Sequence, residues 1–436
     1  MPAYRYVIIG TGVAAQAAIE AIRQRDPWED ILVIGEEREG YYSRPGLAYY
    51  ISGEIPEEQL FPFSEDRYKK IGVRRLQARA VAIHPDTRQV LLHNQEVITY
   101  DRLLLATGAW AARLPAPGAD LPGVIKLDNL ADARHLLKLA RRGATGIVVG
   151  GGITAVEIAE ALHNRGVQTH YLLRGDRYWG SVLDESESRI IEKRLKDRGL
   201  QIHTHCSISQ VLGNKRVSSV RLSDGSELRC DVLAVAIGVL PRKELAQAAG
   251  LSVDRGILVD ETLQTSQAGI YAAGDVAQVY DPLTGQAGLD SLWNPARQQG
   301  KVAGWNMAGD HQVYRKPPPV NVTRLADIPT TIIGTVGKLP DQDLQAIARG
   351  DSESWHFLDQ ASTAQSTWEV NRLRVMVGKH TLVGAVIMGD QSLSQPLQRL
   401  INAQVDITPV REQLLQPGAP VAEILSSFAA SVEQQR

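Results

Sequence analysis

The segment 146–162 most constrains what this chain can fold into. An apolar run leads into three glycines, 150–152, and a helical pattern follows. A strand, a glycine turn and a helix in this order are typical of a dinucleotide-binding fold. There Gly150 would allow the tight turn, Gly152 would let the backbone approach a pyrophosphate, and Ala155 would let the helix pack on the strand. The free N–H groups at the start of the helix would attract the phosphates.

The N-terminus carries a second copy of this pattern. Gly10, Gly12 and Ala15 occupy the three small-residue positions after an apolar run. The next apolar run ends at Glu36, 24 residues after Gly12 (36 − 12). A carboxylate is expected about 20 residues on, where it accepts a ribose hydroxyl. Glu36 is therefore the predicted ribose ligand, with Glu37 as its competitor.

Two other apolar runs end in small residues and mark domain boundaries. The first ends at the turn 106–108 and leads into 109–118, which is punctuated by proline and glycine. Such punctuation is typical of a loop between domains. The second run ends at Gly238, and the chain is predicted to cross back near Pro241. A third boundary is predicted at the proline run 316–319.

The strand after the 150–152 turn ends in a basic segment. Arg174-Gly175-Asp176-Arg177 follows the predicted strand 168–173. An acidic residue there favours a free ribose 2′-hydroxyl, whereas arginine accommodates a 2′-phosphate. Arg174 and Arg177 thus favour NADPH over NADH, unless both are simply solvated surface arginines.

Two polar residues follow in the second half of the chain. The strand 269–276 is predicted to deliver Asp275 to the head of a helix, where it would cap the helix or hold a ligand hydroxyl. A further helix is predicted to start with Asn294 as its cap and Pro295 in its first turn, and to run to about Met307.

Composition excludes several classes of function. The 436 residues carry a formal net charge of −2, so no field favours nucleic acid or an anionic membrane. The two cysteines, Cys206 and Cys230, form no C-x-x-C pair, and the histidines lack metal-ligand spacing. The N-terminus has no signal-peptide profile, and no apolar run reaches 18 residues. We therefore predict a cytoplasmic protein without a metal site or a membrane span.

Taken together, the two glycine turns, the 106–108 turn and the Gly274-Asp275 turn resemble the FAD-dependent pyridine nucleotide–disulfide oxidoreductase superfamily over about residues 4–310. The resemblance implies an α/β fold with two Rossmann-like domains and a C-terminal α+β domain. The FAD domain would comprise 1–117 and 241–310, the inserted NAD(P)H domain 118–240, and the C-terminal domain 311–436.

The resemblance also implies roles for individual residues. Asp275 would meet the ribityl or pyrophosphate part of FAD, and the helix near Asn294 would direct its positive end at the flavin. Glu157 lies where family members place a glutamate beside flavin and nicotinamide, and is the candidate catalytic residue. The candidate cofactor-binding residues are Gly10, Gly12, Ala15, Glu36, Arg44, Pro45, Ala106, Thr107, Gly108, Gly150, Gly152, Ala155, Arg174, Arg177, Gly238, Gly274, Asp275 and Asn294.

The subfamily is indicated by a missing thiol. Single-cysteine members carry their cysteine where this chain has Pro45, and the C-x4-C of glutathione reductase-like members is absent. The segment 42–45 instead resembles the Y-x-R-P segment of rubredoxin reductases, ferredoxin reductases and nitrite reductase flavoproteins, and 383–390 resembles their terminal domain. Oxygenase-type ferredoxin reductases place a lysine about where this chain has Tyr49, which argues against an oxygenase-type ferredoxin.

The predicted function is a thiol-free, FAD-dependent NAD(P)H:acceptor oxidoreductase. The acceptor is a rubredoxin- or ferredoxin-like protein first, and a quinone or other small oxidant second; a homodimer is left open. One alternative is a redox-responsive protein that acts by association, similar to apoptosis-inducing factor. Another is an electron-transfer subunit of a larger complex.

Overall fold

A computed structural model describes residues 2–337, 346–356, 361–368 and 371–434. The chain forms two compact units, and each is discontinuous in sequence. Unit 1 consists of Met1–Trp110 and Val239–Lys316, and unit 2 of Ala111–Gly238 and Pro317–Arg436. The predicted α/β class is confirmed, while the predicted three-domain division stays a prediction.

The described residues form 25 strands, 11 α-helices and two short 3-10 helices. The strands are β1 (Ala3–Ile9), β2 (Ile31–Gly35), β3 (Val73–Gln77), β4 (Ala80–His84), β5 (Gln89–Leu92), β6 (Val97–Leu105), β7 (Ala109–Ala111), β8 (Val124–Lys126), β9 (Thr145–Val149), β10 (Gln168–Leu172), β11 (Gln201–His203), β12 (Ile208–Gly213), β13 (Val217–Leu222), β14 (Glu227–Arg229), β15 (Val232–Val235), β16 (Val239–Pro241), β17 (Ile257–Leu258), β18 (Ile270–Ala272), β19 (Ala277–Asp281), β20 (Gln286–Gly288), β21 (Val320–Leu325), β22 (Ile328–Gly334), β23 (Ser362–Trp368), β24 (Asn371–Val377) and β25 (Leu382–Met388). The α-helices are α1 (Val13–Arg25), α2 (Gly46–Ser52), α3 (Glu65–Lys70), α4 (Leu130–Leu139), α5 (Ile153–Asn164), α6 (Glu185–Asp197), α7 (Glu244–Ala248), α8 (Trp293–Met307), α9 (Ser394–Asn402), α10 (Thr408–Leu414) and α11 (Val421–Gln434). Short 3-10 helices lie at Glu57–Leu60 and Glu353–His356.

The main sheet of unit 1 is parallel around β1. Its order is β3-β2-β1-β6, and β6 pairs with β18 at its end and with β5 at its start. Strand β2, strand β18 and the carboxyl-terminal halves of β1 and β6 are apolar and buried, as expected where both faces of a parallel sheet are covered. The carboxyl ends of β1, β2, β6 and β18 therefore meet at one edge, which is where dinucleotides bind in such sheets.

Two glycines of α8 allow it to lie directly against α1. A Cβ atom on Gly300 would lie 2.1 Å from the carbonyl oxygen of Ala14, and one on Gly304 would lie 2.5 Å from that of Ala18. Any side chain at either position would push the helices apart. This packing fixes the start of α8 relative to the first glycine turn.

Unit 2 contains a second parallel sheet, of order β11-β10-β9-β15-β8. Helix α5 follows its central strand β9, and the antiparallel sheet β12-β13-β14 shares a hydrophobic core with it. The rest of unit 2 is a separate antiparallel sheet, β21-β22-β25-β24-β23, whose own core includes α9, α10 and α11. The C-terminal region is thus α+β, as predicted.

A buried ion pair joins the C-terminal sheet to α6 within unit 2. Arg374 Nε and Nη2 donate to the two carboxylate oxygens of Glu187 over 2.8 and 2.9 Å, and Glu187 is fully buried. Arg374 also donates to the carbonyl oxygens of Val336 and Val182. Removing one partner of such a pair costs about 3–5 kcal/mol because the other charge is left buried and uncompensated.

Three local predictions are wrong. Asp275 lies in a turn that leads directly into β19 rather than at the head of a helix, because the Ala277 N–H closes the turn on the Gly274 carbonyl oxygen. Asn294 is the second residue of α8, which begins at Trp293 with Leu292 as its cap residue. The sequence pattern also predicts strands at both cysteines, but Cys206 lies between β11 and β12 and Cys230 between β14 and β15.

Candidate functional site

The first glycine turn has the geometry that a dinucleotide needs. Gly10 has φ +120°, and a Cβ on it would lie 2.0 Å from the carbonyl oxygen of Ala106. Gly12 is the N-cap residue of α1 and has no side-chain cap, and a Cβ on Gly12 would meet no described atom within 4 Å beyond its chain neighbours. Ala15 is buried on the first turn of α1. Gly10 therefore serves the fold, whereas Gly12 leaves room in front of the helix for a ligand.

The structure distinguishes the two glutamates that follow β2. Glu37 accepts hydrogen bonds from the Tyr42 hydroxyl over 2.7 Å and from the Arg44 guanidinium. Glu36 is exposed, and its carboxylate lies 3.6 Å from Nε of the exposed Arg79. Because Glu37 is hydrogen-bonded to the 42–44 loop, Glu36 is the better candidate to accept a hydrogen bond from a ribose hydroxyl.

Arg44 and Pro45 precede α2 in the same loop. Arg44 Nη1 donates to the Tyr42 hydroxyl over 2.8 Å, and its guanidinium carbon lies 4.9 Å from the centre of the Tyr42 ring. Pro45 is the N-cap residue of α2. The loop before α2 is therefore held by a network of Arg44, Tyr42 and Glu37.

Residues 106–108 end β6 at the same sheet edge. Ala106 is buried, Gly108 has φ +66°, and the Thr107 hydroxyl donates to the carbonyl oxygen of Arg242 over 3.0 Å. The Arg242 N–H in turn donates to the carbonyl oxygen of Gly108. Arg242 thus fixes this turn from the returning chain, a contact that the sequence pattern did not indicate.

Asp275 lies close to the start of α8 in unit 1. The Ser291 hydroxyl donates to its carboxylate over 3.4 Å, and Gly274 before it has φ +85°. The Gly274 N–H donates over 2.8 Å to the side chain of Gln299, which is 2 % exposed. Sequence reasoning missed Gln299, although a glutamine among the small residues of a buried helix face was a usable signal.

The first turn of α8 is formed without a side-chain cap, so its N–H groups and positive dipole end face outward from the helix. Asn294 lies in this turn and is exposed. Four candidate features lie at the carboxyl edge of one sheet: the turn around Gly10 and Gly12, Glu36, residues 106–108, and Asp275. That arrangement fits an extended dinucleotide.

The second glycine turn, in unit 2, repeats the first. Gly150 has φ +146°, and a Cβ on it would lie 2.1 Å from the carbonyl oxygen of Ala236. Gly152 is the N-cap residue of α5, again without a side-chain cap, and Ala155 is fully buried. Gly238 follows β15 with φ +119°. Unit 2 thus has its own candidate dinucleotide site.

The two arginines after β10 differ in orientation. Arg174 is exposed. Arg177 is mostly buried and turns back on its own loop, where Nη1 donates to Asp176 over 2.8 Å and Nη2 to the carbonyl oxygen of Gly180 over 3.4 Å. Of the two, Arg174 is the more exposed to solvent, and Asp176 partly neutralises Arg177.

Glu157 lies on the first turns of α5 in a partly buried position. Burial and the nearby Glu160 raise its pKa to about 8, against the opposing effect of Arg324 and Arg349. Burial also raises the pKa of Glu160 to about 7, although Arg198 lies 3.0 Å from it. Glu157 can therefore hold a proton at neutral pH, next to a candidate nucleotide turn.

Both cysteines lie in unit 2 as free thiols. Cys230 is 4 % exposed, and burial raises the pKa of its thiol to about 12. Burial also raises the pKa of the more exposed Cys206. A thiolate is the reactive form, so neither environment activates a cysteine.

Among the described residues, no group of three or more histidine, cysteine, aspartate or glutamate side chains is arranged to hold a metal ion. None of the helices in this part of the chain combines the length and the apolar character that a membrane span requires.

Comparison with known proteins agrees with the two dinucleotide turns. A family model described as pyridine nucleotide-disulphide oxidoreductase matches residues 4–300. The chain belongs to this family. It is an FAD-dependent NAD(P)H oxidoreductase, since its relatives in the family are named oxidoreductases and reductases that use nicotinamide nucleotides.

Two relatives and one solved structure illustrate the range of this family. The chain is 31% identical to the ferredoxin–NAD(+) reductase component of the biphenyl dioxygenase system of Paraburkholderia xenovorans, covering 91% of this chain and 98% of that protein. It is 27% identical to the assimilatory nitrate reductase electron transfer subunit of Bacillus subtilis, covering 98% of this chain. The chain spans about half of that protein's length, 53%. A crystal structure of a ferredoxin reductase from Rhodopseudomonas palustris matches with a TM-score of 0.84 and 25% identity over 97% of this chain and 99% of that one.

Proposed function

We propose that this oxidoreductase passes electrons from NAD(P)H, by way of FAD, to a small redox protein of the rubredoxin or ferredoxin kind, without a redox-active cysteine. The observation that carries the proposal is Pro45. By the resemblance noted in the sequence, Pro45 would stand where single-cysteine members carry their catalytic cysteine, and both thiols of this chain lie in unit 2, where burial raises their pKa values. A route through a protein disulfide or sulfenic acid is thereby disfavoured.

The residues of unit 1 would bind FAD. Gly10, Gly12 and Ala15 would hold its pyrophosphate at the start of α1, and Glu36 would accept a ribose hydroxyl. Asp275, fixed by Ser291 and the Gln299-supported turn, would meet the ribityl or pyrophosphate part.

The remaining candidates of unit 1 would lie near the ring system. Arg44, Pro45 and residues 106–108 would line it, and the uncapped start of α8 at Asn294 would place a positive dipole end toward it. The bound flavin supplies the two-electron chemistry that lets hydride donors and one-electron acceptors meet at one centre.

The residues of unit 2 would bind the nicotinamide nucleotide. Gly150, Gly152 and Ala155 would hold its pyrophosphate, and Gly238 would border the same crevice. Arg174 would favour the 2′-phosphate of NADPH, with Arg177 in a smaller role. Glu157 would act as the proton-holding group beside the nicotinamide. With these assignments we keep the three domains predicted from the sequence: an FAD domain, an inserted NAD(P)H domain and a C-terminal domain.

A protein acceptor is favoured by the names of the relatives. Two of the three proteins described above are named as ferredoxin reductases. The test is steady-state oxidation of NADPH and NADH with three acceptors offered separately: a rubredoxin, a [2Fe–2S] ferredoxin and a quinone. Saturable turnover with a redox protein at micromolar concentration supports the proposal. Turnover with the quinone alone contradicts it.

A second candidate function is an electron-transfer subunit of a larger assembly. It is favoured by the Bacillus subtilis relative, whose name describes such a subunit and of which this chain spans about half. Affinity purification from the native source would recover partner subunits in stoichiometric amounts. A long-lived flavin–nicotinamide complex without turnover would instead favour the association-based alternative.

We place the protein in the cytoplasm, where free thiols such as Cys206 and Cys230 persist, and a homodimer is left open.

A further inference from the structure

The two glycine turns differ in what lies in front of them. Among the described residues beyond its chain neighbours, a Cβ on Gly12 would meet no atom within 4 Å, whereas a Cβ on the corresponding Gly152 would lie 3.4 Å from the Cβ of Ala348. Both glycines are N-cap residues of helices without side-chain caps. The second glycine of such a turn is the one that a pyrophosphate approaches. In unit 2 the side chain of Ala348 lies on that approach.

Ala348 belongs to a short segment, 346–350, that runs across the nucleotide edge of the unit 2 sheet. A Cβ on Gly238 would lie 2.9 Å from the Cβ of Ala346 and 3.0 Å from the carbonyl oxygen of Ile347. At the other end, a Cβ on Gly350 would lie 3.3 Å from Cδ1 of Ile153. The segment therefore spans from the end of β15 to the first turn of α5, while a Cβ on Gly151 between them would meet no atom of the described residues within 4 Å beyond its chain neighbours.

Arg349 and Asn321 hold this segment in place. Arg349 Nη1 donates to the carbonyl oxygen of Leu127 over 2.6 Å, and Nη2 donates to Asp128 Oδ1 over 3.3 Å. Asp128 is 7 % exposed and is itself fixed by Lys126, whose Nζ lies 2.7 Å from Oδ2. The Asn321 side-chain amide donates to the carbonyl oxygen of Gly350 over 2.8 Å.

The segment is anchored by polar bonds at Arg349 and Gly350 and presents small side chains to the turn. Alanine side chains bury little apolar surface, so the packing over Gly152 and Gly238 is weak compared with a hydrophobic core contact. A nucleotide pyrophosphate that displaced the segment would bind the free N–H groups at the N-terminus of α5. Such an arrangement is suited to displacement rather than to permanent closure.

We propose that segment 346–350 is a plug that competes with the nicotinamide nucleotide for the Gly150–Gly152 turn, and that Arg349 is its latch. Nucleotide binding then requires release of the plug, and the apparent Kd exceeds the intrinsic Kd by the inverse of the released fraction. The C-terminal region thereby controls how readily NAD(P)H reduces the enzyme. This inference rests on the use of NAD(P)H and is independent of which acceptor the enzyme serves.

The first test is the affinity of the oxidised, FAD-bound protein for NAD+ and NADP+, measured by titration calorimetry. Arg349→Gln removes the charge of the latch, so we expect the Kd for the preferred nucleotide to fall about three- to tenfold. The control Arg221→Gln removes an arginine that pairs with Glu227 on the antiparallel sheet, and we expect an unchanged Kd. Weaker binding by Arg349→Gln would show that Arg349 is a nucleotide ligand and would overturn the plug.

The second test uses the unaltered protein and does not depend on a variant that folds. Trypsin cleaves after arginine, and mass spectrometry follows cleavage between Arg349 and Gly350 with and without saturating NAD+. Faster cleavage with NAD+, and faster amide hydrogen exchange over 347–350, support displacement of the plug. Protection of the same bond and amides by NAD+ would show that the segment is a wall of the site, and the inference would be wrong. Absence of NAD+ and NADP+ binding by both the wild type and Arg349→Gln would overturn the inference together with the nucleotide assignment.

Discussion

Gly10 lies so close to the backbone of Ala106 that no side chain fits at position 10: a Cβ there would lie 2.0 Å from the Ala106 carbonyl oxygen. Gly150 and Ala236 repeat the relationship in unit 2 at 2.1 Å. In both units the first glycine lets one strand end pass close to the next. The second glycine, at the helix start, is not needed for that contact.

This difference predicts opposite outcomes for two substitutions in one turn. Gly10→Ala should prevent unit 1 from folding, because the Ala106 backbone is held by its N–H bond to the Ile9 carbonyl oxygen and φ +120° is strained for alanine. Gly12→Ala should fold, with a loss of about 1 kcal/mol or less, because its φ is −76° and the new Cβ would lie within 4 Å of no described atom beyond its chain neighbours. It should bind FAD at least about tenfold more weakly, since the pyrophosphate approaches there. Circular dichroism and flavin fluorescence titration measure both effects. A Gly12→Ala protein with wild-type FAD affinity would remove the turn from the site.

The raised pKa of Glu157 predicts an unusual dependence of stability on pH. Its ordinary pKa is 4.5, and in the folded protein it is about 8. Between these values the folded state binds the extra proton, so the free energy of unfolding falls as pH rises from about 4.5 to about 8. Glu157→Gln should remove part of that fall, on the order of a few kcal/mol at most. Urea unfolding at several pH values tests this, with Glu185→Gln on the exposed face of α6 as the control.

The same group predicts a change in kinetics. If Glu157 holds a proton beside the nicotinamide, the rate of flavin reduction by NAD(P)H should change with an apparent pKa near 8, and this dependence should be absent in Glu157→Gln. Anaerobic stopped-flow measurements from pH 6 to about 9 would record it. An identical pH profile in the variant would assign Glu157 a structural role only.

Arg174 and Arg177 predict different effects on nucleotide preference. Arg174→Ala should raise the KM for NADPH about tenfold and leave that for NADH nearly unchanged, because a charge-assisted contact to phosphate is worth about 1.5–3 kcal/mol. Arg177→Ala should have a smaller effect, since its guanidinium is held by Asp176 and Gly180. Equal effects on NADPH and NADH, or none, would make both arginines ordinary surface residues.

Electron transfer should not depend on cysteine. The double substitution Cys206→Ser with Cys230→Ser should keep NAD(P)H-to-dye turnover within about threefold of wild type, because neither thiol is in an environment that favours the thiolate. Anaerobic titration should take up two electrons per FAD. Uptake of four, or loss of turnover in a variant that still holds flavin, would reveal a thiol centre and contradict the thiol-free route.

The sequence by itself determined the repeated strand–turn–helix units. Gly10, Gly12, Gly150 and Gly152 lie where the pattern placed them, because a tight turn before a close-packed helix leaves few other residues possible. The start of helix α6 is also specified locally, since Asp184 and Glu187 form a capping box from residues only three apart.

Only the tertiary structure decided what surrounds these units. Asn294 and Asp275 are not helix caps, because a cap depends on where neighbouring elements start the helix or close the turn, and local residue preference does not contain that information. Gln299, Arg242 and segment 346–350 reach the candidate sites from positions distant in sequence. Contacts between distant segments leave no periodic signal in a single sequence. Only the tertiary structure therefore shows that Ala348 lies in front of Gly152.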